Sequence, residues 1–283
     1  MVDNVIPKSL DEALEHLAKG DYQIINGGTD LMVKNRAWSE TRLDFKKNML
    51  YVRSLEALDY IKRENNVLRI GATTSLESLL YHEHVPSVMK ECLHLFASPA
   101  IRNMATLSGN IGNASPAGDG LLITYLLDGV IVLVNAEGVR KVRINDYVKG
   151  PGTTDRRSDE MIKEIQLHDD AFDYTVFNKV GGRASDSISK TSFAGAVRHE
   201  KGIIKDIRIA IGAVAATVIK DKSVEHMLRG QSIHQLKEKI PQILEAYEPH
   251  IQPIDDQRSN RSYRKKVAMN LLEAFLRQIA SKE

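Results

Sequence analysis

TLSGNIGNASPAGDG, residues 106–120, carries almost no side-chain bulk. A run this small gives up packing energy, and its glycines are entropically costly to fix. A plain turn needs only a few such residues. A stretch this long, dense in hydroxyls and amides, predicts an open loop that wraps something polar. Thr106, Ser108, Asn110, Asn113 and Ser115 are its small donors, and Gly109 and Gly112 clear the way for close approach. Asp119, at the start of LLITYLLDG, is placed to cap the next helix or to accept from a sugar hydroxyl.

Upstream lies a second small loop, IINGGTDL (24–31), directly after the apolar strand YQIIN. Gly27 and Gly28 allow a sharp turn that brings backbone N–H groups towards an anion, and Thr29 adds a hydroxyl. Taken alone, a Gly-Gly after a strand is more often a plain turn. The familiar nucleotide motifs are missing: no G-x-G-x-x-G and no G-x-x-x-x-G-K-[ST] occurs. There is no G-x-S-x-G elbow either, and His82 and His84 in YHEHV lack further ligands at metal-binding spacing. The residues therefore point to binding, with no catalytic or metal-ligating set.

Around the loops, α and β signals alternate with short connections. SLDEALEHLAKG (9–20) has Ser9 and Glu12 at capping-box spacing, an apolar face of Leu10, Ala13, Leu14 and Leu17, and Gly20 to close it. YIKRENNVLRIGA reads as a hairpin turned at Asn65-Asn66, and VIVLVNAEGVRKVRI as a strand pair turned at Glu137-Gly138. SLESLLYHE and SVMKECLHLFAS read as helices, while Phe96 and Met104 read as core. GPGTTDRRSDE is the best boundary, between residues 150 and 170. Beyond it, IKDIRIAIG alternates like a half-buried strand, and SYRKKVAMNLLEAFLRQIA predicts a helix buried along Val267, Leu271, Ala274, Phe275 and Ile279.

The 283 residues are 42% hydrophobic and 27% charged, with a formal net charge of +2, which favours neither nucleic acid nor a membrane surface. No run approaches membrane-spanning length, and the N-terminus has no apolar signal core. Cys92, the sole cysteine, excludes an internal disulfide and an iron–sulfur cluster held by this chain alone. A cytoplasmic protein is expected.

IINGGTDL and IRNMATLSGNIGNASPAGD, in that order, resemble the FAD-binding (medium) subunit of the molybdenum hydroxylases, the xanthine dehydrogenase and carbon monoxide dehydrogenase family. The family pattern runs roughly AGGTDL, then Q-x-RN-x-ATxGGN-x-x-x-ASPxxD. RIGATTSL (69–76), GPGTT (150–154) and FNKVGGRASDSIS (177–189) agree in order, so the resemblance spans nearly the whole chain. It implies an α+β fold: a two-lobed FAD-binding domain over 1–165, then a smaller α+β C-terminal domain over 170–283.

The resemblance further implies that FAD is the cofactor. Ile25, Asn26, Gly27, Gly28, Thr29, Asp30 and Leu31 would cradle its diphosphate together with Thr106, Ser108, Gly109 and Asn110. Asp119 would read the adenosine sugar, Ile162 would contact the nucleotide, and Lys179 would lie near the isoalloxazine ring. Two departures stand out: Asn26 where the family has Ala, and Ser108 where it commonly has Gly. The implied partners are a [2Fe–2S] small subunit and a molybdopterin large subunit, with NAD or another acceptor taking the electrons. A free-standing flavin oxidoreductase and a non-catalytic nucleotide-binding assembly subunit are the alternatives.

Overall fold

The structure, a computed structural model, describes residues 3–36, 45–168 and 170–281. The chain divides into two compact units that interleave along the sequence. The first comprises Met1–Val85, Ala97–Ala114 and Gly129–His168; the second comprises Pro86–Phe96, Ser115–Asp128 and Asp169–Glu283.

In the first unit, the helix Leu10–Lys19 starts as its sequence requires. Ser9 Oγ accepts from the Glu12 amide at 3.1 Å, and Glu12 accepts from the Lys8 amide at 2.7 Å. Its buried Ala13, Leu14 and Leu17 share a core with Leu50, Val52, Leu58, Val134 and Met161. That core joins two sheets. Asn4–Val5, Asn48–Tyr51 and Tyr22–Ile25 form a parallel three-stranded sheet with Asn48–Tyr51 in the middle. The other sheet is antiparallel, in the order Ile61–Glu64, Val67–Gly71, Met161–His168, Val130–Asn135, Gly138–Arg143. Both expected hairpins are present. Asn65 takes the left-handed conformation at φ 54°, and the second turn falls one residue early, since Gly138 already pairs with Asn135.

The second unit is built on the antiparallel sheet Tyr174–Val180, Thr191–Glu200, Ile203–Gly212. Residues alternate across a strand. Phe193 and Val197 therefore face the helices Ile233–Tyr247 and Arg261–Ala280, while Ser192 and Gly212 face the helix Asp119–Leu126. All residues of Asp119–Leu126 are buried, as an apolar helix covered on every side must be.

The C-terminal helix corrects its expected face. Arg264, Ala268, Leu272, Phe275, Leu276 and Ile279 are buried, whereas Ala274 is exposed and Val267 and Leu271 are only half-buried. Arg264 is the reason. Its guanidinium reaches the Ala213 carbonyl at 3.2 Å and Asp256 at 2.5 Å, so a charged residue opens the buried stripe.

Asp256 itself sets a pH dependence. Burial pushes its pKa up, but the Arg258 amide, Arg264 and the Ser259 amide outweigh this and hold it at about 2. A carboxyl depressed on folding stabilises the fold above its ordinary pKa of 3.8, and that contribution is lost as pH falls towards 2. Asp256→Asn is expected to lower stability at neutral pH by about 2 kcal/mol and to flatten the acid limb between pH 3.8 and about 2. Urea unfolding across that window checks it.

No helix among the described residues is long and apolar enough to cross a membrane.

Candidate functional site

The strand Tyr22–Ile25 ends at Asn26, and the chain turns through Gly27 and Gly28, the latter at φ 70°. Met32 then donates to the Gly28 carbonyl at 2.8 Å, opening the helical turn Leu31–Lys34. Between these points the amides of Gly27, Gly28, Thr29, Asp30 and Leu31 have no acceptor among the described residues. Successive unpaired N–H groups around a glycine turn make an anion-binding concavity.

The opening stretch is not the open loop its composition predicts. Leu107–Asn113 is helical, Ala114 ends it in the left-handed conformation, and a second helix begins at Asp119. The reason is local: Thr106 Oγ1 accepts from the Gly109 amide at 3.0 Å and nucleates the turn despite the glycines. The Leu107 amide faces the Thr74 carbonyl across the bridge that pairs Thr106 with Ser75, while the first-turn amide of Ser108 has no acceptor among the described residues.

The two loops touch directly. A Cβ on Gly27 would lie 2.0 Å from the Met104 carbonyl oxygen and 3.0 Å from Ala105 Cα. Gly27 thus serves the approach of one backbone to another. The Met104 side chain is 48% exposed, so its backbone, not its thioether, is what packs here, contrary to the expected core position. Arg53 donates to the carbonyls of Met104 at 3.1 Å, Asn103 at 2.8 Å and Thr73 at 3.3 Å. Asn26 Nδ2 donates to the Ala72 carbonyl at 2.7 Å and to Ser108 Oγ at 3.2 Å. Lys34 pairs with Asp30 at 2.9 Å and also bonds Asn113 Oδ1. Ile162, at a bulge in the central strand, lies 3.8 Å from the Cβ position of Gly112.

The first unit therefore brings together Ile25 to Leu31, Thr106 to Asn110, Asn113 and Ile162. Arg53 and Lys34 were not expected. Lys34 carries a weak signal, standing four residues after Asp30 on one helical turn. Arg53 has none in the sequence, because its role depends on carbonyls 50 and 51 residues away.

Ser115, Asp119 and Lys179 belong to the second unit. Ser115 Oγ accepts from the Ala117 amide at 3.4 Å inside a turn. Asp119 does not cap its helix: Gly118 is the N-cap. Its carboxylate accepts from Ser189 Oγ at 2.6 Å and lies 2.7 Å from Lys179 Nζ, both side chains being only 6% exposed. Lys179 also donates to the Leu95 carbonyl at 2.9 Å. The separate roles that the resemblance implies for Asp119 and Lys179 thus meet in one buried ion pair. Burial, reinforced by Asp119, pushes the neighbouring Cys92 thiol well up, which leaves it inert.

Residues 1–167 match the family described as "FAD binding domain in molybdopterin dehydrogenase", and residues 177–279 match "CO dehydrogenase flavoprotein C-terminal domain". The glyceraldehyde dehydrogenase medium chain of Sulfolobus acidocaldarius is 30% identical over 279 residues, 96% of each chain. The nicotinate dehydrogenase FAD-subunit of Eubacterium barkeri is 31% identical over 237 residues, 79% of this chain and 78% of that one. The solved CO dehydrogenase from Oligotropha carboxidovorans shares the fold with a TM-score of 0.89 at 23% identity, over 100% of this chain and 99% of that one.

Proposed function

Because the chain belongs to the FAD-binding flavoprotein family of the molybdopterin dehydrogenases, we propose that the two loops of its first unit clasp the diphosphate of FAD. The observation that carries this is the run of amides from Gly27 to Leu31 with no acceptor among the described residues, beside the likewise unpaired amide of Ser108. A diphosphate is a ligand that donors on two neighbouring loops fit.

The chain's own residues do the holding. The amides of Gly27 to Leu31 and the Thr29 hydroxyl would donate to phosphate oxygens, and the Ser108 amide would add a donor from the second loop. Arg53 fixes the Met104 carbonyl against which Gly27 rests, and its guanidinium adds positive field beside the cradle. Ile162 lines the helix at Gly112. Asp119 and Lys179 would act as one unit, each holding the other in place. When bound, FAD supplies a carrier that accepts electrons singly or in pairs.

In this reading the chain works in the cytoplasm beside a [2Fe–2S] small subunit and a molybdopterin large subunit. It collects their electrons for NAD or another acceptor. The relatives named as medium chains of dehydrogenases support a place in a multi-subunit enzyme.

The test is the visible spectrum of the purified chain after reconstitution with FAD and desalting. Wild type is expected to keep an oxidised-flavin spectrum, and Gly109→Trp to lose it. Gly109 suits this probe, because only Thr106 Oγ1, at 3.0 Å, lies near its Cβ position. An indole in its place adds bulk beside the Ser108 amide. Equal retention by both proteins would move the cofactor away from the two loops.

A further inference from the structure

Asn26 and Ser108, the two departures from the family pattern, lie 82 residues apart in sequence and are hydrogen-bonded to each other. Their donors can be followed one by one. Ser108 has a single hydroxyl proton, and it goes to the Ala72 carbonyl at 2.5 Å. The contact of 3.1 Å between Thr106 Oγ1 and Ser108 Oγ is therefore donated by Thr106, whose oxygen in turn accepts from the Gly109 amide. Asn26 Nδ2 gives its protons to Ser108 Oγ and to the Ala72 carbonyl. Turning the carboxamide over would set Oδ1 against that carbonyl, acceptor against acceptor, so the orientation is fixed. Ala72 is itself anchored, its amide donating to the Lys163 carbonyl at 3.1 Å. Only Asn26 Oδ1 is left buried without a partner.

We propose that Asn26 and Ser108 form a latch between the two loops, acting as positioning residues that set the preference for a diphosphate over a monophosphate ligand. The proposal rests on the FAD reading above. The first loop's amides can hold one phosphate unaided, whereas the turn after Thr106 offers the Ser108 amide to a second phosphate of the same ligand, its Gly109 and Asn110 amides being bonded to Thr106. Only a ligand that spans both loops depends on the spacing between them, and the latch fixes that spacing through the shared Ala72 carbonyl. An Ala–Gly pair, as in the family pattern, has no groups with which to build it, so here the two positions act jointly.

The experiment measures FAD and FMN dissociation constants by flavin fluorescence for the full chain, Asn26→Ala, Ser108→Ala and the double variant, with a melting curve for each. Each single variant is expected to bind FAD about tenfold more weakly and FMN less than about threefold more weakly. The double variant should fall no more than about threefold below the weaker single, because the second deletion removes a group the first has already disconnected. Asn26→Leu, close in size and without either charge or N–H donors, should lose FAD about as far as Asn26→Ala, and it carries that arm if Asn26→Ala does not fold.

FAD losses that multiply in the double variant, or that equal the FMN losses, overturn the latch while leaving the FAD reading intact. A folded wild-type chain that binds neither flavin overturns both.

Discussion

Gly27→Ala is expected to weaken FAD binding by about 100-fold, with a loss of about 3 kcal/mol in the stability of the first unit. The added Cβ would stand 2.0 Å from the Met104 oxygen, 2.7 Å from its carbonyl carbon and 3.0 Å from Ala105 Cα. All three are backbone atoms and cannot rotate aside. The Met104 carbonyl is further held by Arg53. The loops must therefore part, which separates their unpaired amides.

Gly28→Ala is the control. Its Cβ would meet only the flexible side chains of Ile25 and Met32, at 3.5 Å, so the penalty is that of an L-residue at φ 70°, about 1–2 kcal/mol. FAD titration and melting curves of the two variants should separate clearly. If Gly27→Ala kept both affinity and stability, the loops would not touch as described.

Lys179→Met should destabilise the second unit by about 3–5 kcal/mol, because it leaves the buried Asp119 carboxylate to the Ser189 hydroxyl without a neutralising charge. Lys179 also ties the strand Tyr174–Val180 to the Leu95 carbonyl, while Asp119 joins the helix Asp119–Leu126 to Ser189. The transition reporting this unit should fall by roughly 10 °C. The double variant Lys179→Met/Asp119→Asn should recover part of the loss, since no unpaired charge then remains buried. Thermal denaturation of the three proteins decides it. A drop under about 2 °C for Lys179→Met would mean that the pair is solvated.

What could be read from sequence was local. Ser9 and Glu12 state their own cap, and Asn65 states its own turn, because both signals act within a few residues. The position of Gly27 after a strand likewise marked the first loop. Its reason was hidden, since the atom that excludes a Cβ belongs to Met104, far along the chain. Composition misled at residues 107–113: glycines and asparagines suggested an open wrap, but one threonine hydroxyl on the Gly109 amide is enough to start a helix. Arg264 hid the C-terminal stripe in a similar way, because its buried position is tolerable only with Asp256 in place. Nothing in SVMKECLHLFAS says that Ser87–His94 packs with the strand Tyr174–Val180, from beyond the apparent boundary. Arg53 was likewise illegible, because carbonyl acceptors leave no mark on the side-chain pattern.

The most direct measurement is amide hydrogen exchange of the full chain with and without FAD. The unpaired amides of Gly27 to Leu31, with that of Ser108, should exchange fast alone and become protected together when FAD is added. The hairpin Ile61–Glu64 and Val67–Gly71, already bonded within its sheet, should not change. Bound FAD with no slowing in either loop would contradict the two-loop cradle.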